Sequence, residues 1–411
     1  SQSRSYCSSK RFIHSTLGDL FAITLGSELY KTGQKALGHP KLILMNSSTH
    51  SIDEWKVPAK QALDLLKQLI ATKSYSGQEQ ETALLLEKNL QSHGFEVERI
   101  QNNVLARGKH WVDGAPVLLL NSHHDTVRAT SNWDTDPFEP VELDGKLLGL
   151  GSNDAGAPLV CLLHIFYWLN ERDQSYNLLF LASAEEETSG TNGVPITLEA
   201  MGAVDLAVVG EPTSMEMAVT ERGLIVLDVT TLGESGHAAR GEGVNALYKA
   251  VDAIEWFRSY EFEQVSEQLG KVSMNVTQIE AGTQHNVIPD RCHFVVDVRP
   301  NDCYTNAEIV DIIRDHIDGL VEPRSLHLNS SGIADHHPVV LKANELDVPR
   351  VSSKTMSDQA HMPFPSVKIG PGNTHRSHTP NEFIYIHEIL GGLMGYAQLL
   401  NGLEIPHWRL G

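Results

Sequence analysis

Cysteine is scarce in this chain. Its four residues, Cys7, Cys161, Cys292 and Cys303, form no C-x-x-C pair and no closely spaced framework. A disulfide-stapled scaffold is therefore excluded, and a reducing, cytoplasmic setting is the expectation. Positive charge is also short: 32 Lys and Arg stand against 52 Asp and Glu, a formal net charge of −20. That balance argues against nucleic acid and against anionic membrane surfaces as partners. Long apolar runs are missing as well. The longest, over 159–169, is too short to span a bilayer and carries His164.

What is present suits a soluble protein of two domains. The chain has 411 residues, more than one ordinary domain, and 41% of them are hydrophobic, enough for a sizeable core. The first 44 residues differ from the rest, with serines crowded near the start and more basic than acidic residues. They read either as a transit-like segment or as an over-extended start with Met45 as the first residue. In both cases 1–44 is expected to be an extension outside the fold.

Two helical patterns follow, over 60–72 and 78–92, the second with Ser76 as a candidate N-cap and Gly94 just past its end. Short continuous apolar runs then appear at 117–120 (VLLL), 178–182 (LLFLA), Leu206–Val209 (LAVV) and 366–369 (SVKI), with helical stretches such as 158–170 between them. Unbroken apolar runs between helices are the mark of strands buried on both faces, so a mostly parallel sheet covered by helices is predicted. The stretch 222–328 is different. It alternates in strand fashion (GLIVLDVTTLG, KVSMNVTQIEAG, CHFVVDVRP) and holds helical patterns over 244–257 and 307–317. It is expected to be an α+β domain inserted into the catalytic domain formed by 45–221 and 329–411.

Each apolar run leads into potential metal ligands. VLLL precedes His123-His124-Asp125, LLFLAS precedes Glu185-Glu186-Glu187, LAVVG precedes Glu211, and SVKIGPG precedes His375 and His378. Asp154 lies in GLGSNDAG, where glycines permit a tight turn. Taken singly, these have bland explanations. A glutamate run is ordinarily a solvated face, and an acid beside glycine is ordinarily turn chemistry. Their common position just beyond strand ends is what singles them out, because ligands of open α/β sheets gather at the carboxyl ends of the strands. Two histidines and three or more carboxylates suit a pair of zinc ions sharing a carboxylate. A neighbouring carboxylate that binds no metal can then act as general base.

Six stretches, LNSHHDTV, LLGLGSNDAG, SAEEETSG, VVGEPT, GESGHAAR and GPGNTHRSHTPNE, resemble in this order the zinc-dependent amidohydrolases of the acetylornithine deacetylase and succinyl-diaminopimelate desuccinylase family. The resemblance runs from about residue 46 to the end. It implies that His123, Asp154, Glu187, Glu211 and His378 bind two zinc ions per subunit, for which cobalt or manganese can substitute. Asp154 is the implied bridging ligand, Asp125 the residue that orients His123, and Glu186 the general base. The inserted domain resembles the family's ferredoxin-like lid and dimerisation domain. By the same resemblance His237 stabilises the reaction intermediate in a partner subunit of a homodimer, and Asn286 and Arg299 lie near substrate. Three ligand carboxylates and a hydroxide would nearly neutralise two zinc ions, so a substrate carboxylate needs its own cation, and Arg299 fits that need. The alternative for Arg299 is a structural ion pair.

The implied reaction is hydrolysis of an N-acyl amino acid, with N-acetyl-L-ornithine or N-acetyl-citrulline first, in arginine biosynthesis. A desuccinylase, a dipeptidase or carboxypeptidase, and a non-catalytic homologue remain alternatives. SKTMSD, around Ser357 and Asp358, departs from the glycine-rich turn of many desuccinylases, and Glu185 has no assigned role.

Overall fold

A computed structural model describes residues 52–408. The extension predicted for 1–44 lies outside them. Nine strands form the main sheet: β1 (Val97–Ile100), β2 (Asn103–Arg107), β3 (Val117–His123), β6 (Asn177–Ser183), β7 (Leu206–Val209), β8 (Met217–Glu221), β13 (Ser331–Gly332), β14 (Arg350–Ser353) and β15 (Ser366–Lys368). Their order is β1-β2-β6-β3-β7-β15-β8-β13, with β14 pairing β8. The central strands β6, β3, β7 and β15 are mutually parallel. The mostly parallel sheet foreseen from the apolar runs is therefore present, and all four runs lie in it.

The runs are continuous because both faces of the sheet are covered. On one face Leu119, Leu179, Leu181 and Val209 pack into a cluster with Val194, Met201 and Phe364. Toward the other, Leu118, Leu120 and Phe180 are fully buried. There α3 (Ala157–Asn170) lies on β3 and β6, with the Phe166 and Phe180 rings 5.7 Å apart. Helix α3 also packs against α1 (Ile52–Ala71) and α6 (Ile386–Leu400). Its Pro158 sits in the first turn, where a missing N–H costs nothing.

Two local expectations change. The first helix begins at Ile52, not at 60, and runs through Pro58. A proline reads as a boundary in sequence, but Trp55, Ala59, Ala62 and Leu63 continue one buried stripe across it. Ser76 does not cap α2 (Gln80–Ser92). Its hydroxyl donates instead to Asp125 Oδ2 at 2.7 Å, and the cap position falls on Glu79.

The segment after β8 runs β9 (Ile225–Leu232), α4 (Ala246–Ser259), β10 (Ser273–Ala281), β11 (Arg291–Arg299), α5 (Asn306–His316) and β12 (Leu320–Pro323). This is the βαββαβ order of a ferredoxin-like unit. Its antiparallel sheet has the order β10-β11-β9-β12. It buries a core of its own, with Leu227, Val229, Phe257, Phe294, Val296 and Ile313 among its members. Helix α5 opens on a capping box, in which the Thr305 hydroxyl accepts from Glu308 N–H and the Glu308 carboxylate accepts from Thr305 N–H. A small third sheet joins β4 (Val141–Leu143), β5 (Lys146–Leu148) and β16 (Phe383–Tyr385). No helix among the described residues is long and apolar enough to cross a membrane.

Candidate metal centre

Because β3, β6, β7 and β15 run parallel, the segments that follow them emerge on one edge of the sheet. His123 is the last residue of β3, Glu186 and Glu187 follow β6, Glu211 follows β7, and His378 follows β15. Asp154 arrives from the glycine-rich turn that leads into α3. Gly151 holds φ +76° there, and a Cβ on Gly156 would meet the Gly151 carbonyl oxygen at 2.3 Å.

The side chains converge. His123 is 1% exposed, and its Nδ1 lies 3.0 Å from the Asp125 carbonyl oxygen and 3.4 Å from the Asp125 carboxylate. That leaves Nε2 facing Asp154 Oδ1 at 3.3 Å, Glu211 Oε1 at 3.8 Å and Glu186 Oε2 at 4.0 Å. His378 Nε2 lies 2.8 Å from Glu187 Oε2 and 3.7 Å from Asp154 Oδ2. Asp154 thus presents one oxygen to each histidine, the disposition a bridging carboxylate needs. Donor atoms of His123, Asp154 and Glu187 all fall within 4.8 Å of one another.

Asp125 organises this arrangement from behind. Its two carboxylate oxygens accept the backbone N–H of Glu186 at 3.1 Å and of Glu187 at 3.2 Å, together with the Ser76 hydroxyl. One buried acid therefore orients a histidine of β3 and fixes the turn after β6. The middle residue of the H-H-D triplet, His124, points elsewhere and is held between the Thr82 hydroxyl and the Asn102 carbonyl.

Charge in the cluster is unbalanced. Burial raises Glu186 well above the usual carboxylate range, with His123 opposing and Glu211, Asp358 and Glu187 adding to the rise. Burial likewise pushes Glu211 to about 8 and Asp358 to about 6. His123 moves against its burial: Glu186, Asp125 and Asp154 hold it well above the ordinary histidine value. The hydrogen bond to Glu187 lifts His378 to about 9. Acids this crowded must hold protons or gather around cations. Glu211 Oε1 is buried without a hydrogen-bond partner, an acceptor left open on the side facing His123. Imidazole and carboxylate donors with one oxygen unsatisfied fit a pair of divalent cations.

Of the residues singled out in the sequence, the structure brings together His123, Asp125, Asp154, Glu186, Glu187, Glu211 and His378. It does not bring in the other three. His237 is exposed, and its Nδ1 accepts Ala239 N–H. Asn286 is exposed beside it, its carbonyl accepting Ala238 N–H. Arg299 forks onto Asp297, at 2.7 and 2.9 Å. Glu185 holds φ +57° and uses its carboxylate to grip Asn192, a loop-shaping contact.

Sequence reasoning passed over three buried acids beside the cluster. Glu79 accepts Gly77 N–H and Asn102 Nδ2. Asp358 accepts the Ser183 hydroxyl at 2.5 Å. Glu382 accepts three backbone N–H groups of the Asp154 turn. The last two stand within stretches already quoted for other reasons, SKTMSD and SHTPNE, so the available signal was an acid inside a motif with no ligand role.

The model of peptidase family M20/M25/M40 matches residues 119–402, well over half the chain and all of the convergent cluster. The chain belongs to that family. This M20 member is accordingly a metal-dependent hydrolase of amide bonds. It is 28% identical to the acetylornithine deacetylase of Proteus mirabilis over 357 residues, covering 78% of this chain and 91% of that one. It is also 28% identical to the Salmonella typhimurium acetylornithine deacetylase over 360 residues, covering 78% and 92%. Among solved structures, a Staphylococcus aureus tripeptidase superposes with a TM-score of 0.67 at 20% identity, covering 83% of this M20 chain and 97% of its own. A dinuclear metal binding peptidase of the M20 family from Bacillus subtilis gives 0.65 at 17% identity, covering 84% and 98%. At those identities the likeness speaks for the fold.

Proposed function

We propose that this M20 hydrolase deacylates an N-acyl amino acid, with N-acetyl-L-ornithine as first substrate, and so serves arginine biosynthesis. The observation that carries the chemistry is the bridging placement of Asp154 between His123 and His378. The choice of substrate is supported by the acetylornithine deacetylases that match it over nine-tenths of their own length. The metal reading is two zinc ions, cobalt or manganese substituting, held by His123, Asp154 and Glu211 on one side and by Asp154, Glu187 and His378 on the other. Bound there, such cations polarise a carbonyl and make water acidic.

The chain's own residues do the rest. Glu186 is fixed through its N–H to Asp125, and its carboxyl makes no hydrogen bond among the described residues. It is free to take a proton from the attacking water. The water oxygen bonds to the acyl carbon, the C–N bond breaks, and Glu186 returns the proton to the departing amine. Products are a carboxylate and a free amino acid.

The βαββαβ segment, within the proposed 222–328 domain, serves as a lid in this reading. Arg299 commits two of its five donors to Asp297, and the others are offered to the substrate carboxylate, with Asn286 beside the acyl group. His237, exposed and away from its own chain's cluster, is assigned to the oxyanion in the partner's site of a homodimer. The cytoplasm, where thiols stay reduced, is the proposed location. The test is amine release by purified protein supplied with zinc, on N-acetyl-ornithine, N-acetyl-citrulline, N-succinyl-ornithine, N-succinyl-diaminopimelate and several dipeptides. Preference for an N-acetyl amino acid is expected. Release from dipeptides alone would overturn the substrate class.

A further inference from the structure

We propose that Glu382 is a positioning residue for the metal centre: its carboxylate gathers the backbone of the Asp154 turn and thereby aims the Asp154 side chain between the two histidines. The proposal rests on the metal-centre reading above. Three observations support it.

The first is the donor geometry. Glu382 Oε1 accepts the N–H of Asn153 at 2.8 Å and of Asp154 at 2.9 Å, and Oε2 accepts the N–H of Gly151 at 3.1 Å. Three backbone donors converging on one carboxylate form a concave anion nest, here filled by a side chain from a distant part of the chain. The residue is 2% exposed, so water cannot replace it.

The second is where Glu382 stands. It stands four residues after His378 and immediately precedes β16, whose Phe383 pairs with Leu148. Its own carbonyl accepts Gly149 N–H at 3.1 Å. The segment carrying the last candidate ligand is therefore bonded to the turn carrying the bridging one. Asn153 adds stitches to the same segment, donating to the Asn373 carbonyl and the Ser377 hydroxyl and accepting Asn373 N–H.

The third is economy of means. Asp125 does the same for the turn after β6, where it accepts Glu186 and Glu187 N–H. Two buried acids thus hold two turns by their backbones, and neither acid is itself one of the candidate ligands. A carboxylate offers only acceptors, whereas an amide of the same shape turns an NH2 group toward at least one of the three N–H donors.

The test compares wild type, E382Q, E382D and D154N, all prepared metal-free. Zn2+ binding is read by competition with a chromogenic chelator, metal content by elemental analysis, and folding by the thermal midpoint of the metal-free protein. E382Q is expected to keep a metal-free midpoint near wild type while losing Zn2+ affinity by about 10–100-fold, the usual range for residues behind a ligand. E382D keeps the charge on a shorter arm, and a smaller loss is expected. Should E382Q fail to fold, E382D carries the comparison. D154N is expected to lose metal outright. Wild-type Zn2+ affinity in both Glu382 variants, with D154N depleted, overturns the positioning role and leaves the centre standing. Full metal content in D154N overturns the centre and this inference with it.

Discussion

Replacing Lys368 by methionine tests the energetics of the interior directly. Lys368 ends β15 and Glu221 ends β8, with side chains 4% and 1% exposed. The ammonium lies 2.6 Å from Glu221 Oε2 and donates to the Thr355 carbonyl at 3.0 Å. Glu221 accepts in addition Ser357 N–H at 2.9 Å and the Ser357 hydroxyl at 2.7 Å. K368M preserves the stem's packing and removes only the charge and its donors. Glu221 is then a buried anion with one neutral residue for support. Breaking one side of such a pair costs about 3–5 kcal/mol, which is roughly two to four decades in the unfolding constant. Equilibrium urea denaturation measures it as a lower midpoint at unchanged slope. The double variant E221Q/K368M, which leaves no orphaned charge, should recover part of the loss. A cost for K368M below about 1 kcal/mol, the range of exposed ion pairs, would refute the reasoning.

Other outcomes follow from the same geometry. E186Q should lower kcat by about 10²–10⁴-fold, the usual contribution of a general base, with metal content by elemental analysis unchanged; retained activity would remove Glu186 from that role. Dialysis against a chelator should abolish amine release, and added Zn2+ should restore it. H237A should slow turnover without changing metal content, and an unchanged rate would mark His237 as structural. F294A, in the core of the antiparallel sheet, should cost about 3–5 kcal/mol in urea unfolding while the metal-free protein still takes up Zn2+.

The sheet was legible because burial on both faces writes an unbroken apolar word, and the candidate ligands stood out because all but Asp154, which lies in a glycine-rich turn, follow such a word. Helix limits were less so. Pro58 signals a break that a buried stripe overrides, and Ser76 resembles a cap while serving Asp125. The acids behind the site, Glu79, Asp358 and Glu382, could not be told from surface acids. What distinguishes them is burial against backbone donors brought in from far along the chain, as when Glu382 meets the N–H groups of residues 151, 153 and 154. Short-range pattern holds no trace of such a meeting. Arg299 was weighed between substrate clamp and ion pair, and its fork onto Asp297 is an ion pair that other donors of the same group can still extend.

The sheet order has a consequence for synthesis. Strand β15 fills the slot between β7 and β8, yet it is made only after the whole β9–β12 segment and β13 and β14 have left the ribosome. Until then β7 has an unpaired edge, and the growing chain lacks both His378 and Glu382. The antiparallel unit, complete in its own hydrogen bonds and core, can fold while the larger sheet waits. Those waiting edges are where a nascent chain is open to mispairing with a neighbour. A polypeptide halted before residue 366 would be a half-zipped sheet, without the His378 that the proposed centre calls for.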